Sequence, residues 1–170
     1  LFSRVDYIPL ETKEGALVAN IDKALINGEL LFILDKAQKC ILSFGTDGRY
    51  KGKFHNPGNG PNEYLEISDF DLLPNGKGLV VLADNNRLFV LDNNLLFQSE
   101  VKAPYHGVGI AAVTPAIYGF YTARWLDETE EGSGKFYNLI MSDLNSGKSN
   151  GFFAGTLAKR IRFTGTSRFF

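Results

Sequence analysis

NIDKALINGELLFILDKAQKCILSFGTDGRYKGKF, residues 20–54, is the stretch that decides the fold. It contains four short runs of mainly apolar residues, at 20–26, 29–35, 39–45 and 49–54. An Asn-Gly dipeptide separates the first two runs and Thr-Asp-Gly separates the last two, and both sequences favour tight turns. Runs of this length between turn residues predict four consecutive antiparallel strands, a meander.

The same plan returns twice along the chain. A second unit spans 67–101 and a third, looser unit spans 108–153, and the Asn-Gly turn of the first unit recurs in the second after about 48 residues. A four-stranded meander repeated at this period is typical of a β-propeller, in which neighbouring blades cover each other's faces around an axis. The sequence therefore predicts an all-β propeller of four-stranded antiparallel meander blades, each with its first strand nearest the axis.

The repeat also sets the expected extent of the domain. Residues 159–170 look like the start of a fourth unit, so residues 1–170 would form a single, partial propeller domain of about three and a half blades. We expect such a partial propeller to leave the apolar outer faces of its end blades bare. It would then need further blades, or a second copy of itself, to cover them.

The link between the first two units has an unusual sequence, HNPGNGPNEY at 55–64. Its closely spaced glycines are similar to those of loops that bind phosphate. A phosphate loop, however, continues into Gly-Lys-Ser/Thr and a helix, which this segment lacks. Pro57 and Pro61 also remove two of the backbone donors that a phosphate would need. We therefore interpret the segment as a corner between two blades.

Four segments carry a resemblance to a known family. They are YIPLET (7–12), LFILDKAQKCILSFGTDGRY (31–50), GNGPNEYLEISDF (58–70) and LADNNRLFVLDNN (82–94). With them the chain resembles roughly the N-terminal half of the six-bladed β-propellers found in bacterial extracytoplasmic proteins, which are related in plan to NHL-repeat propellers. The first segment looks like the family's N-terminal strand, the second and fourth like its blade unit, and the third like its Gly-x-Gly-Pro-x-Glu-Tyr connector.

The resemblance implies a location for the protein and the absence of known catalytic residues. Members of the family are exported across the inner membrane, to the periplasm or the cell surface, often as lipoproteins anchored through the N-terminus. They have no established catalytic residues. Six blades of about 48 residues also need a chain longer than this one, which is why we expect a partial propeller.

Composition narrows the class of partner. The net charge of −1 lacks the basic excess that nucleic-acid binding needs. No apolar run approaches the roughly 18 residues of a transmembrane segment. Cys40 is the single cysteine, so no disulfide can form within the chain, and its apolar neighbours favour a buried side chain. We expect a protein, peptide or glycan as the ligand.

The order of the strands assigns the loops to two faces. Tight turns join the first strand to the second and the third to the fourth, and they point to one face; the longer connectors point to the other. Binding sites favour long loops on a rigid scaffold, so the connectors hold the candidate residues. These are His55, Asn62, Glu63 and Tyr64 in the first connector between blades, Tyr105 and His106 in the second, and Arg124 and Trp125 in a later link.

Each group of candidates also has a structural explanation. Glu63 and Tyr64 could hydrogen-bond and pack to fix the corner, and His106 could be a lone solvent-facing histidine. Trp125 is the single tryptophan of the chain, and tryptophan and arginine are frequent anchors of interfaces. The acidic run that follows it is also typical of a solvated loop.

The sequence gives little support to a metal site or to catalysis. The two histidines are far apart, and Asp84-x-Asn86 begins like a calcium loop but has Leu88 where a third oxygen ligand belongs. Asp69 and Asp71 share one face of a strand, which we interpret as carboxylates that line a wet channel. We therefore expect no metal, no cofactor and no catalytic residue.

These observations favour a binding protein over an enzyme. The hypothesis is a non-catalytic, exported propeller that serves as an interaction module. The alternative is a propeller enzyme, a lyase or hydrolase, with a metal ion in its central channel.

Overall fold

The structure, a computed structural model, describes residues 6–84, 86–126 and 135–156. Within these ranges the chain forms twelve β-strands and no helix. None of the described residues therefore belongs to a helix that is long and apolar enough to cross a membrane. The strands are β1 (Lys23–Asn27), β2 (Leu30–Asp35), β3 (Cys40–Gly45), β4 (Tyr50–Phe54), β5 (Ile67–Leu72), β6 (Gly78–Ala83), β7 (Arg87–Asp92), β8 (Phe97–Lys102), β9 (Gly109–Ala112), β10 (Ile117–Leu126), β11 (Lys135–Asp143) and β12 (Ser149–Thr156).

The strands form three sheets of four, in the orders β1-β2-β3-β4, β5-β6-β7-β8 and β9-β10-β11-β12. Strands that follow each other in the chain are neighbours in each sheet, and every pair is antiparallel. Each sheet is thus a meander, which confirms the predicted all-β propeller fold. We call these sheets 1, 2 and 3 in chain order.

The first strands of the three sheets lie next to one another, because β5 contacts β1 on one side and β9 on the other. Polar side chains join them. The Lys23 ammonium donates to Asp69 at 2.9 Å and to the Phe70 carbonyl at 2.7 Å. The other Asp69 oxygen accepts the Ile110 amide at 2.9 Å, and Asp71 accepts the Ala112 amide at 2.8 Å. Asp69 and Asp71, which we expected to line a channel, therefore bind the backbone of the next sheet.

Residues along the second strands alternate between two cores, as expected for sheets that are covered on both faces. Phe32 and Leu34 of β2 join a cluster that packs sheet 1 on sheet 2. Val81 of β6 belongs to the same cluster, whereas its neighbours Val80 and Leu82 pack against sheet 3. The central strands are therefore buried because neighbouring sheets pack on both of their faces.

The outer face of sheet 1 is covered by the chain's own N-terminal segment. Ile33 and Phe44 are buried there beneath Ala16, with Leu10 and Val18 packed around them. We expected this face to be bare, so that expectation was wrong. The reason is that residues 10–18 fold back across sheet 1 and bring their own apolar side chains.

The N-terminal segment is held without becoming a strand, although the sequence of residues 7–12 predicted one. The Glu11 amide donates to the Gly48 carbonyl at 2.9 Å, and the Glu11 carboxylate accepts the Tyr50 amide at 2.8 Å. Gly48 has a φ of +83°, and a Cβ on it would lie 2.0 Å from the Pro9 carbonyl oxygen. The close passage of the segment therefore requires glycine at this turn.

Sheet 3 differs from the prediction in the length of its strands. β12 reaches Thr156, although the sequence pattern ended the third unit at 153, and β10 reaches Leu126. Arg124 and Trp125 therefore lie on a strand, and not in a link between strands as expected. The acidic residues 127–131 and the expected fourth unit at 159–170 lie outside the described residues.

Candidate functional site

The long connectors of sheets 1 and 2 lie at the same end of their sheets, and we call this end the loop face. It comprises the link 36–39 between β2 and β3, the link 55–66 between β4 and β5, and the link 103–108 between β8 and β9. The tight turns, such as the one at Asn27-Gly28, lie at the opposite end. We call residues 55–66 the corner.

The corner is held by its own backbone. The Gly58 amide donates to the Tyr64 carbonyl at 2.9 Å, and the Tyr64 amide donates to the Asn56 carbonyl at 3.2 Å. The Asn56 side-chain amide donates to the Asn62 carbonyl at 3.1 Å. These bonds cross the loop from one arm to the other, so the corner is an ordered platform.

The glycines of the corner surround the carboxylate of Glu63. The Gly60 amide donates to Glu63 Oε2 at 2.7 Å. A Cβ on Gly58 would lie 2.0 Å from the same oxygen, so a larger residue there would displace the Glu63 carboxylate. The loop therefore does hold an anion, but this anion is the protein's own side chain. This contact explains both glycines and the glutamate of the Gly-x-Gly-Pro-x-Glu-Tyr sequence.

Tyr64 is completely buried beneath the corner. Its hydroxyl donates to the Lys39 carbonyl at 2.8 Å and accepts the Asn56 amide at 3.2 Å. Its ring lies 5.3 Å from that of Phe54 and 6.1 Å from that of Phe89. Burial raises the pKa of Tyr64 to about 12. Tyr64 therefore joins the corner to both sheets, and its side chain is not available to a ligand.

His55 and Asn62 remain exposed on the corner. Asn62 has a φ of +60°, a conformation that asparagine tolerates better than most residues. Of the four corner candidates, Glu63 and Tyr64 are engaged inside the loop, whereas His55 and Asn62 face the solvent. The structure thus places these four residues in one loop, where two fix the loop and two are exposed to a ligand.

The other candidates lie elsewhere. Tyr105 is half-buried and His106 is exposed in the connector that leads into sheet 3, and His106 has a partner of its own. Gly107, beside them, is buried, and a Cβ there would lie 3.1 Å from Leu82. Arg124 and Trp125 both lie on β10, where Trp125 is opposite Tyr137 of β11. The candidates are thus spread over three separate elements.

A carboxylate behind the corner fixes the entry into sheet 2. Asp84 Oδ1 accepts the Leu65 amide at 2.9 Å and the Glu66 amide at 3.1 Å. Its other oxygen accepts the Arg87 guanidinium at 3.2 Å, and the same guanidinium donates to the Glu63 carbonyl at 2.6 Å. Both oxygens of Asp84 therefore accept hydrogen bonds from the protein's own groups.

The entry into sheet 1 repeats this arrangement. Asp35 Oδ2 accepts the Ala19 and Asn20 amides at 2.7 and 3.1 Å. Gln38 donates to Asp35 at 2.8 Å and to the Leu17 carbonyl at 2.7 Å, as Arg87 does in sheet 2. Burial alone would raise the pKa of Asp35, but these hydrogen bonds outweigh it and lower the pKa.

Sequence reasoning missed Arg87 and Gln38 as the partners of these aspartates. The signal was present, because each lies three residues after a strand-ending aspartate. Arg87 is further held by Glu100, whose carboxylate accepts two of its N–H groups at 2.6 and 2.8 Å. These hydrogen bonds raise the pKa of the guanidinium.

The described residues contain no group of three or more His, Cys, Asp or Glu side chains that could hold a metal ion. The carboxylates that the sequence singled out, at positions 69, 71 and 84, bind backbone amides instead.

Comparison with protein families identifies the chain. A family model described as a domain of unknown function, DUF4934, matches residues 1–170. The chain belongs to this family. A search of curated proteins found no match.

A solved structure supports the fold. A predicted exported protein from Bacteroides fragilis superposes on 86% of this chain with a TM-score of 0.72 and 18% identity. Two further matches have lower scores: BamB from Moraxella catarrhalis (TM-score 0.48, 12% identity, 79% of this chain) and Hsv2 from Kluyveromyces marxianus (0.45, 13%, 84%). The chain spans 40%, 35% and 51% of the lengths of these three proteins.

Proposed function

We propose that this chain is part of an exported, six-bladed, NHL-like propeller that binds a protein, peptide or glycan on its loop face without catalysis. The observation that carries the proposal is the corner. Glu63 and Tyr64 are fully engaged in fixing it, and the rigid loop that results presents His55 and Asn62 to the solvent. A preorganised loop with exposed polar groups loses little entropy on binding.

The place of action follows from similarity. The Bacteroides fragilis protein that shares the fold is described as exported, and this supports a location outside the cytoplasm for the present chain. A lipid anchor at the N-terminus of the full-length protein would keep the domain at the membrane surface. The corner would then be available to ligands in the periplasm or outside the cell.

The proposal can be tested by comparing three single variants of the full-length protein. The wild type is screened on a glycan array and against a displayed library of random peptides, and the affinity of the best hit is then measured for each variant. His55→Ala and Asn62→Gly remove the exposed side chains; glycine at position 62 tolerates the left-handed backbone. Lys77→Ala, in an exposed tight turn at the opposite end of the sheets, is the control.

We expect the two corner variants to weaken binding on the order of tenfold, and the control to leave it unchanged. Equal affinity in all three variants would show that the ligand binds elsewhere. Metal-dependent turnover of a substrate by the wild type would favour the enzyme instead.

A further inference from the structure

The three sheets differ at their outer edges. β4, β8 and β12 each lie last in the strand order of their sheet. β4 carries Lys51 and Lys53, and β8 carries Glu100 and Lys102. β12 has the sequence SNGFFAGT and carries no charge. Charged side chains on an edge strand hinder pairing with a further strand, so β12 lacks the protection that the other two edges have.

The β4 edge is also covered in part, whereas β12 is exposed. Glu11 of the N-terminal segment accepts the Tyr50 amide at the start of β4. In β12, residues 151–154 are all exposed, including Phe152 at 46% and Phe153 at 73%. Two adjacent, exposed phenylalanines on this edge strand leave apolar surface in water, which a partner could cover.

The backbone at Phe153 is unusual. Its φ is +56°, in the left-handed region, where a bulky side chain is rare. Such a strained conformation tends to be retained where binding needs it. Here it accompanies the largest exposure of any phenylalanine in the described part of the chain.

The length of β12 suits pairing with a partner strand. It has eight residues, against five in β4 and six in β8. Alternate residues of an edge strand direct their N–H and C=O groups away from the sheet, and only another strand can satisfy a row of such groups. In the described residues no strand lies beyond β12.

We propose that the outer edge of β12 binds an extended, uncharged peptide segment of a partner protein by β-strand addition. Phe152 and Phe153 contact apolar side chains of that segment, and main-chain hydrogen bonds set its register. A strand fits better than a glycan because the complementary groups are a row of backbone donors and acceptors. This surface is separate from the loop face, so the inference does not depend on the function proposed above.

The test uses peptides selected from a displayed random library on the full-length protein. Their affinity is measured for Phe153→Lys and Phe152→Lys, which introduce the kind of charge that β4 carries. Val101→Lys makes the same change on β8, where Val101 is 42% exposed, and is the matched control. Thermal unfolding of each variant shows that it is folded.

We expect both β12 variants to weaken peptide binding on the order of tenfold, and the β8 control to keep it. Hydrogen exchange should slow in residues 149–156 when the peptide binds, and should not slow in β4 or β8. Failure to select a peptide, or equal weakening by Val101→Lys, would overturn the proposal.

Two other outcomes would assign the edge to a different occupant and would also overturn the proposal. Slow exchange of these amides in the free monomer would mean that another segment of the same chain covers β12. Concentration-dependent dimers that disappear in Phe153→Lys would mean that a second copy pairs there.

Discussion

The two interfaces between the sheets are built differently. Between sheets 1 and 2 the core includes the aromatic residues Phe32 and Phe70, and the buried ring of Tyr64 packs near those of Phe54 and Phe89. Between sheets 2 and 3 the cluster is smaller and largely aliphatic, and Asp69 and Asp71 add bonds to backbone amides across it. Lys23 also makes two hydrogen bonds across the first interface, so the interfaces differ mainly in their apolar clusters. The second interface, with the smaller cluster, therefore depends more on its hydrogen bonds to charged groups.

The comparison also shows what the corner does for the fold. Tyr64 belongs to the connector, yet it is part of the first interface and binds the Lys39 carbonyl of sheet 1. The connector of the second interface contributes only small residues at its buried positions, Ala103 and Gly107. One connector thus contributes a large side chain to the core of its interface, whereas the other contributes only small residues.

The largest expected effect is that of Tyr64→Ala. Removing this ring leaves a cavity between sheets 1 and 2, and large-to-small changes of buried aromatics cost about 3–5 kcal/mol of unfolding free energy. Tyr118→Ala in the second interface should cost less, because the Tyr118 hydroxyl makes only a long bond of 3.4 Å to the Pro115 carbonyl. Urea unfolding of both variants measures the difference, and equal losses would contradict the contrast between the interfaces.

The double change Asp69→Ala and Asp71→Ala should come next. It leaves the amides of Ile110 and Ala112 without their carboxylate partners, and hydrogen bonds to charged groups contribute about 1.5–3 kcal/mol each. We expect a loss of about 3 kcal/mol in urea unfolding, and faster hydrogen exchange at those two amides. Asp47→Ala, an exposed aspartate in a tight turn, is the control. Unchanged hydrogen exchange at these two amides would show that the aspartates do not hold the second interface together.

Tyr64→Phe should have a smaller effect that depends on pH. It keeps the ring but removes the bond to the Lys39 carbonyl, which should cost about 1 kcal/mol near neutral pH. In the wild type the folded pKa is about 12, above the ordinary value of about 10. The stability due to this shift is complete below pH 10 and is lost as pH rises towards 12.

Unfolding free energies measured between pH 9 and about 12 check the sign, since the phenylalanine variant lacks this loss. The wild type should therefore lose its advantage over Tyr64→Phe at the alkaline end of the range. An advantage that grew with pH would show that the hydroxyl is not buried as described.

The smallest expected effect is a gain in stability. Ser43 Oγ is buried at the first interface, opposite Phe32, and has no hydrogen-bond partner among the described residues. Ser43→Ala should raise stability by about 1 kcal/mol, because an unpaired buried hydroxyl costs free energy. Ser142→Ala is the matched control: Ser142 is equally buried but bonds to Ser149 at 3.0 Å, and its loss should destabilise. Thermal unfolding that shows destabilisation by both changes would mean that Ser43 has a partner.

The strands could be predicted from the sequence because turns and apolar runs are local signals. Asn27-Gly28 and its repeat indicated the period, and β2 (Leu30–Asp35) nearly coincides with the apolar run at 29–35. The ends of β10 and β12 were missed because the strands continue past the expected turn, where the sequence shows no change of pattern. The cover formed by residues 10–18 depends on contacts with sheet 1 that no local pattern reveals.

The site was only partly predictable for a similar reason. The connector sequence correctly indicated a corner, and Glu63 and Tyr64 do fix it, as the structural interpretation held. Which of the candidates stay exposed depends on tertiary contacts. The hydrogen bonds that Asp84 and Arg87 make to the corner join residues about 20 apart in sequence, so no local pattern reveals them.

In the described part of the chain, three bonds from side chains to backbone connect the first strands, and they run in one direction along the sequence. Lys23 of sheet 1 reaches the Phe70 carbonyl in sheet 2, and Asp69 and Asp71 of sheet 2 reach the amides of sheet 3. Each sheet therefore carries the side chains that receive the sheet synthesised after it. A nascent chain could add its sheets in order, from the N-terminus, with each finished sheet serving as a template for the first strand of the next.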